Sequence, residues 1–309
     1  MKNRTEYPIH PDFKKWAHMN PPLNRVSLPV MQKLMALLLL REKSTPDITV
    51  DRLGIPVAGG AIRALLYSPR GLEPNAPCLV YYHGGGFVIP ASPYHYALCR
   101  EYAQRARCKV LFADYRLAPK HPFPTAPEDC YAAYAWVLAN AQSLSVDPAR
   151  VGVAGDSAGG QLATVVCLMA RDRGLAAPRC QMLMYPAAGN ADTDSAKKYT
   201  DTPMCSSKDM EKYGRLYVPD PSAGRLEYRS PLQAKSLEGL PPAYIETAEF
   251  DPLRDGGILF AQRLEDYGIP AELHNTRGTI HGFDIVLDSP IVRNCVDGRV
   301  AFLERNFHG

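Results

Sequence analysis

Val151-Gly152-Val153-Ala154-Gly155-Asp156-Ser157-Ala158-Gly159-Gly160 runs directly into Gln161-Leu162-Ala163-Thr164-Val165-Val166-Cys167-Leu168-Met169-Ala170. The first half has the pattern of a buried strand and the second that of an apolar helix. Between them lies a sharp glycine-flanked turn with one serine at its apex. Small residues two before and two after the serine let strand and helix pass close together, and the serine backbone can then be strained without a clash. In this setting Gly155-x-Ser157-x-Gly159 presents a hydroxyl as a nucleophile. As a bare five-residue pattern it arises by chance in roughly one chain of this length in ten, and a small-residue turn explains it equally well. The surroundings must decide.

On both sides of this stretch, short continuous apolar strands alternate with helical patterns. Residues 78–82 end in His83-Gly84-Gly85-Gly86-Phe87, and residues 109–113 end in Asp114-Tyr115-Arg116. Downstream, 182–186, 243–247 and 271–274 have the same character, and helical patterns at about 94–107, 125–142, 160–173, 256–267 and 292–306 separate the strands. Unalternating apolar strands predict an α/β fold with a mostly parallel sheet covered by helices on both faces. Active sites in such sheets form beyond the carboxyl ends of the strands.

Residues 48–67 alternate about Ala58-Gly59-Gly60 and read as a β-hairpin. Residues 1–46 read as a helical preface, with Ser27 as N-cap, Pro29 in the first turn and a helix over 30–43 that is apolar on most of its surface. A lid and an ordinary core helix both fit that pattern. The stretch 187–240 is polar and carries Pro and Gly, with one clear helix near Ser207 to Tyr217. It reads as an insertion after the strand ending at Tyr185 that would complete the lid. The expected organisation is a cap segment at 1–46 and a catalytic domain at 47–309, with 187–230 contributing to the cap.

At 309 residues and 46% hydrophobic content, the chain is long enough for a large core. Lys and Arg number 35 against 32 Asp and Glu, a formal charge of +3 with no basic block, so neither nucleic acid nor an anionic membrane is an implied partner. Eight cysteines are scattered without a C-x-x-C pair, which suits buried free thiols in a reducing cytoplasm better than disulfides or a zinc site. The polar start Met1-Lys2-Asn3-Arg4-Thr5-Glu6-Tyr7-Pro8 is not expected to be a secretory signal. The longest apolar stretch, Leu34 to Leu40, is too short to span a bilayer.

Serine becomes a good nucleophile only when a base removes its proton, and that base works best when a carboxylate fixes its tautomer. In a sheet of this kind the expected chain order is Ser, then Asp or Glu, then His. Glu249-Phe250-Asp251-Pro252-Leu253-Arg254-Asp255 follows one strand and Thr279-Ile280-His281-Gly282-Phe283 the next. Asp251, directly after a strand end, is the best acid. Glu249 and Asp255 compete with it, although Asp255 also fits a helix N-terminal charge or a partner for Arg254. Of the eight histidines, His281 alone lies in a Gly-flanked loop after the last strand, where it can reach back over the sheet. Acyl transfer also needs donors for an oxyanion, each worth about 10²- to 10³-fold in rate. Gly84, Gly85 and Gly86 supply main-chain N–H groups with no side chain in the way, and the amide of Ala158 adds another. A phosphate-cradling loop is the weaker reading, because the run lacks the Lys-Ser/Thr ending and the G-x-G-x-x-G spacing. His83 reads as a structural hydrogen-bonding residue.

Taken together, His83-Gly84-Gly85-Gly86-Phe87, Asp114-Tyr115-Arg116-Leu117-Ala118-Pro119 with His121-Pro122-Phe123-Pro124, Gly155-Asp156-Ser157-Ala158-Gly159-Gly160, Asp251-Pro252-Leu253-Arg254-Asp255 and His281-Gly282-Phe283 closely resemble the hormone-sensitive-lipase-like esterases of bacteria and archaea. The match runs from about residue 78 to 285. The resemblance implies an α/β-hydrolase fold with a helical cap, and hydrolysis of short- to medium-chain carboxylic esters with no cofactor or metal. It makes Ser157 the nucleophile, His281 the base and Asp251 the orienting acid. It makes Gly85, Gly86 and Ala158 the oxyanion donors, with Gly84 a weaker candidate. Members are often homodimers. An amide, carbamate or acetyl-conjugate hydrolase uses the same triad, and a non-catalytic receptor for a small ligand is the reading from another class. Residues 1–46 and 187–230 match least, and they would shape the acyl pocket.

Overall fold

The computed structural model describes residues 7–16, 27–37, 39–189 and 192–309. Among these, eight strands form one sheet: β1 (Ile48–Val57), β2 (Gly60–Pro69), β3 (Ala76–Tyr82), β4 (Lys109–Asp114), β5 (Val146–Asp156), β6 (Gln181–Met184), β7 (Ala243–Phe250) and β8 (Ala271–Ile280). Their spatial order is β1-β2-β4-β3-β5-β6-β7-β8. β1 and β2 are the expected antiparallel hairpin, turning through Ala58 and Gly59, the latter at φ 78°. β2 runs antiparallel to β4, and every pairing from β4 through β8 is parallel. The helices are α1 (Pro11–Lys14), α2 (Ser27–Ala36), α3 (Pro93–Arg105), α4 (Thr125–Ala139), α5 (Ala158–Asp172), α6 (Asp194–Lys198), α7 (Ser207–Tyr217), α8 (Leu226–Arg229), α9 (Arg254–Asp266) and α10 (Pro290–His308).

Strands β3, β4, β6 and β7 are buried almost throughout, without alternation, because both faces of the sheet are covered there. Val80 and Tyr82 pack with Leu162 and Val166 of α5 and Phe260 of α9, whereas Leu79 and Tyr81 pack with Leu98 and Tyr102 of α3 and Leu303 of α10. Successive side chains thus feed two separate cores. α5 is buried from Ala158 through Ala170, so even its small and polar positions are interior. Each fully buried Leu or Val contributes about 1.5–3 kcal/mol, which makes the helix behind the serine turn one of the best-anchored elements of the molecule. All eight cysteines are free thiols, seven of them buried, and burial pushes Cys78 and Cys180 up to about 12. No helix among the described residues is long and apolar enough to cross a membrane.

The N-terminal expectation needs correcting. The helix expected over 30–43 ends at Ala36, and residues Leu39–Arg41 form a separate 3-10 turn. Nor is it covered on all sides, since Val30, Leu34 and Leu37 are 54%, 61% and 54% exposed. Residues 1–6 and 17–26 of the expected preface, including most of the stretch read as lacking a signal, lie outside the described residues. Residues 7–14 form a strap against the loop that carries His281. The His10 N–H donates to Gly278 O at 2.9 Å, Ser289 Oγ donates to Asp12 Oδ2 at 2.6 Å, and the buried Phe13 ring meets Phe283 edge-on.

One cluster is not apolar. Arg299 of α10 is fully buried and donates to Glu246 of β7, to Asp284 at 3.0 Å and to Tyr102 Oη at 3.0 Å. Burial and the neighbouring Glu246 raise the Asp284 carboxyl above its ordinary value, and the Arg299 guanidinium offsets this only in part. Removing the cation strands two carboxylates in a dry interior, and breaking such a pair typically costs about 3–5 kcal/mol. Arg299→Met is therefore expected to lower the urea midpoint strongly at unchanged m-value, read by circular dichroism. A midpoint equal to wild type would mean that the cluster adds nothing.

Candidate active site

The serine turn is built from close contacts that only glycine allows. A Cβ on Gly159 would lie 1.9 Å from Tyr82 O, and one on Gly155 would lie 2.3 Å from the backbone of Gly159. β5 and α5 therefore meet almost backbone to backbone. Ser157, between them, is held at φ 55° and ψ −117°, a conformation that costs on the order of 1–3 kcal/mol for a residue with a Cβ and that the buried strand and helix enforce. Its N–H donates to Met184 O at 2.8 Å, pinning the turn to the neighbouring strand.

β7 and β8 deliver the other two groups to the same edge. His281 follows β8 and Asp251 follows β7, adjacent parallel strands, so their side chains converge beyond the carboxyl ends. His281 Nδ1–H donates to Asp251 Oδ2 at 2.7 Å, and His281 Nε2 accepts from Ser157 Oγ at 2.8 Å. Asp251 is fully buried, and its other oxygen accepts the Leu253 N–H at 2.8 Å. Burial works against the imidazolium, but the charge of Asp251 and its hydrogen bond outweigh that and raise His281 above its ordinary 6.5, with Asp156 adding to the effect. The Tyr185 ring stands edge-on to His281, and its hydroxyl donates to Asp284 at 2.8 Å. The two rival acids are engaged elsewhere. Glu249 accepts the Gly278 N–H, and Asp255 accepts the Ser195 N–H and pairs with Arg254.

The glycine loop after β3 lies beside the serine turn because β3 and β5 are neighbours, with Tyr82 opposite Gly155. Gly85 and Gly86 adopt φ 116° and 59°, and a Cβ on either would strike Ile89 or the Tyr213 ring. Among the described residues the amides of Gly85, Gly86 and Ala158 donate to no protein acceptor, which leaves them free for an oxyanion. Gly84 leaves the donor set: its N–H already donates to Asp156 Oδ1 at 2.9 Å. His83 has the structural role expected of it, with Nδ1–H bonded to Gly84 O at 2.6 Å and its ring stacked on Tyr115, and burial lowers it to about 4. The site opens into a cavity of about 1250 Å³, walled by Met31 and Met35 of α2 and by Met210 and Tyr213 of α7 as well as by the sheet edge.

A family model described as the alpha/beta hydrolase fold matches residues 79–285. The chain belongs to this family. Within it, the hydrolase falls among the hormone-sensitive-lipase-like esterases, as its motifs imply. It is 37% identical over 252 residues to the esterase LipI of Mycobacterium tuberculosis, covering 79% of this chain and 77% of that one. It is 34% identical to an ethyl acetate hydrolase of Pseudomonas putida, covering 84% and 82% of the two chains. The solved structure of a Pyrobaculum calidifontis esterase superposes with a TM-score of 0.87 at 37% identity, covering 96% of this hydrolase and 99% of that chain.

Sequence reasoning passed over Asp156, Tyr94 and His95, which surround the glycine loop of this hydrolase, and also Tyr185. Asp156 had a signal in plain view, being the residue immediately before the serine at the end of β5. Tyr94 and His95 sit in the first turn of α3 and carry no spacing signal.

Proposed function

We propose that Ser157, His281 and Asp251 hydrolyse short- to medium-chain carboxylic esters by double displacement, beneath a cap formed by residues 1–46 and 187–230. The chain is a carboxylic ester hydrolase by family. The observation that carries the mechanism is the imidazole of His281, bonded through one nitrogen to Asp251 and through the other to Ser157 Oγ. In the first step Ser157 Oγ attacks the ester carbonyl while His281 Nε2 takes its proton, and the oxyanion of the tetrahedral intermediate accepts N–H bonds from Gly85, Gly86 and Ala158. Collapse breaks the ester C–O bond, and His281 returns the proton to the departing alcohol. Water then attacks the acyl-enzyme by the same route and frees the acid. A small-ligand receptor has no use for a base poised between a serine and a carboxylate, so the enzyme reading stands ahead of it. We also propose a cytoplasmic location, which suits the free thiols, and a homodimer.

Acyl preference is tested by initial rates on p-nitrophenyl esters from acetate to palmitate. Residues of α7 and α8, among them Tyr213, Tyr217 and Leu226, line the methionine-walled cavity, and on this reading rates should peak between acetate and octanoate and fall sharply for the longest chains. A maximum at palmitate overturns the short- to medium-chain reading.

A further inference from the structure

Asp156 precedes the nucleophile, is buried at 1% exposure, and gathers four donors from three separate places. Oδ1 accepts Tyr81 Oη–H of β3 at 2.8 Å and the Gly84 N–H at 2.9 Å. Oδ2 accepts Tyr94 Oη–H at 3.3 Å and the imidazole of His95 through Nε2 at 3.2 Å, both from α3. His95 Nδ1 accepts the Ser92 N–H at 2.8 Å, so the ring hydrogen lies on Nε2 and points at the carboxylate. A buried carboxylate with four donors and no acceptor facing it is held as the anion. Its contact with the glycine loop is as close as a contact can be, since a Cβ on Gly84 would fall 2.2 Å from Oδ2.

We propose that Asp156 is the positioning residue of the oxyanion loop: the carboxylate, locked by Tyr81, Tyr94 and His95, grips the Gly84 N–H and so aims the free amides of Gly85 and Gly86 at the place where the oxyanion forms. This rests on the esterase reading of Ser157. Three consecutive glycines have little conformational preference of their own, and an oxyanion donor works only when it is pre-aimed. The grip on Gly84 supplies that aim, and it comes from the residue bonded to the nucleophile, so turn and loop move as one body. Asp156 stays ionised at working pH. Burial alone would raise it, yet its contact with His95 and the hydrogen bonds from His95 and Tyr81 bring it down to about 2.

The test compares Asp156→Ala and Asp156→Asn on p-nitrophenyl butyrate, with affinity for an aryl trifluoromethyl ketone whose hemiketal oxyanion occupies the same hole. Ala frees Gly84, and kcat should fall about 10²-fold with KM changed less than about three-fold, while ketone affinity falls by the same factor as kcat/KM. Asn can keep its oxygen on Gly84 and turn its NH₂ toward Tyr94 and His95, whose hydroxyl and ring can reverse roles, so it should recover most of the loss. A merely structural role would not tie ketone affinity to kcat. The proposal is overturned by Ala retaining more than a third of wild-type kcat, by ketone affinity unchanged while kcat falls, or by Asn being as poor as Ala. Should the Ala variant not fold, Tyr94→Phe removes one lock while keeping the ring, and kcat and ketone affinity should fall together by about three-fold or more. No change in either overturns the proposal. Ser157→Ala run alongside separates the two readings: activity without Ser157 sinks the esterase mechanism itself, whereas a dead Ser157→Ala beside a fully active Asp156→Ala sinks only this inference.

Discussion

Ser157→Ala is expected to lower kcat for p-nitrophenyl butyrate by about 10⁶-fold while the protein folds as before. The size follows from the geometry: Oγ lies 2.8 Å from His281 Nε2, and neither Asp251 nor the oxyanion amides can attack a carbonyl in its place. What survives is transition-state binding by the loop, worth a residual 10³–10⁴ over water by analogy with other triads. The backbone strain at φ 55° is a property of any residue with a Cβ, so Ala inherits it unchanged and the turn loses one hydrogen bond only. Thermal midpoint and circular dichroism should match wild type. The decisive measurement is intact-protein mass after brief exposure to an aryl ester or organophosphate: wild type gains one acyl or phosphoryl group at Ser157 and the variant gains none. A variant that keeps more than about one per cent of activity would sink the assignment, since that is far above what a hole without a nucleophile supplies.

Much of this site is legible in the chain because Ser157, Asp251 and His281 each follow directly on a strand end. Apolar runs lead up to Ser157 and Asp251, whereas the last strand reads only as far as His274 and is in fact β8, a largely polar edge strand that continues to Ile280 and so delivers His281 to the same edge. What the chain does not announce is direction. Three glycines give no sign of which N–H groups face the substrate, and Gly84 proves to face Asp156 because β3 and β5 are neighbours across the sheet. Arg299 has the look of a solvent-facing charge on an amphipathic helix. It is buried because Glu246 and Asp284 come to meet it from 53 and 15 positions away, and no local pattern encodes such distances. The early end of α2 at Ala36 is equally silent, with neither Gly nor Pro to stop a Leu-rich helix.

Asp251→Asn is expected to lower kcat by about 10⁴-fold and, in the activity that remains, to move the acid limb of the pH profile downward. Two effects act together. The carboxylate accepts Nδ1–H and thereby leaves Nε2 as the acceptor for Ser157, whereas the amide of Asn can donate to Nδ1 and stabilise the tautomer in which Nε2 carries the hydrogen. That tautomer cannot take a proton from Ser157. The second effect concerns charge. Asp251 faces His281 from the end of β7, Asp156 acts on it from β5, and Tyr185 of the loop after β6 presents only a ring edge, so Asp251 is the principal counter-charge. His281 must be neutral to act as base, and in the wild type its raised value places the acid limb of kcat/KM above pH 6.5. Without Asp251 the burial that opposes the imidazolium is no longer outweighed, so the group titrates lower and the limb follows it. Asp156, held near 2, does not titrate in this range and cannot be the source of the limb. Measured kcat/KM between pH 4.5 and 8 distinguishes the two effects, because a tautomer defect lowers the plateau and a lost counter-charge moves the inflection. An Asn variant with a lowered plateau but an inflection still above pH 6.5 would mean that Asp251 orients His281 without stabilising its charged form.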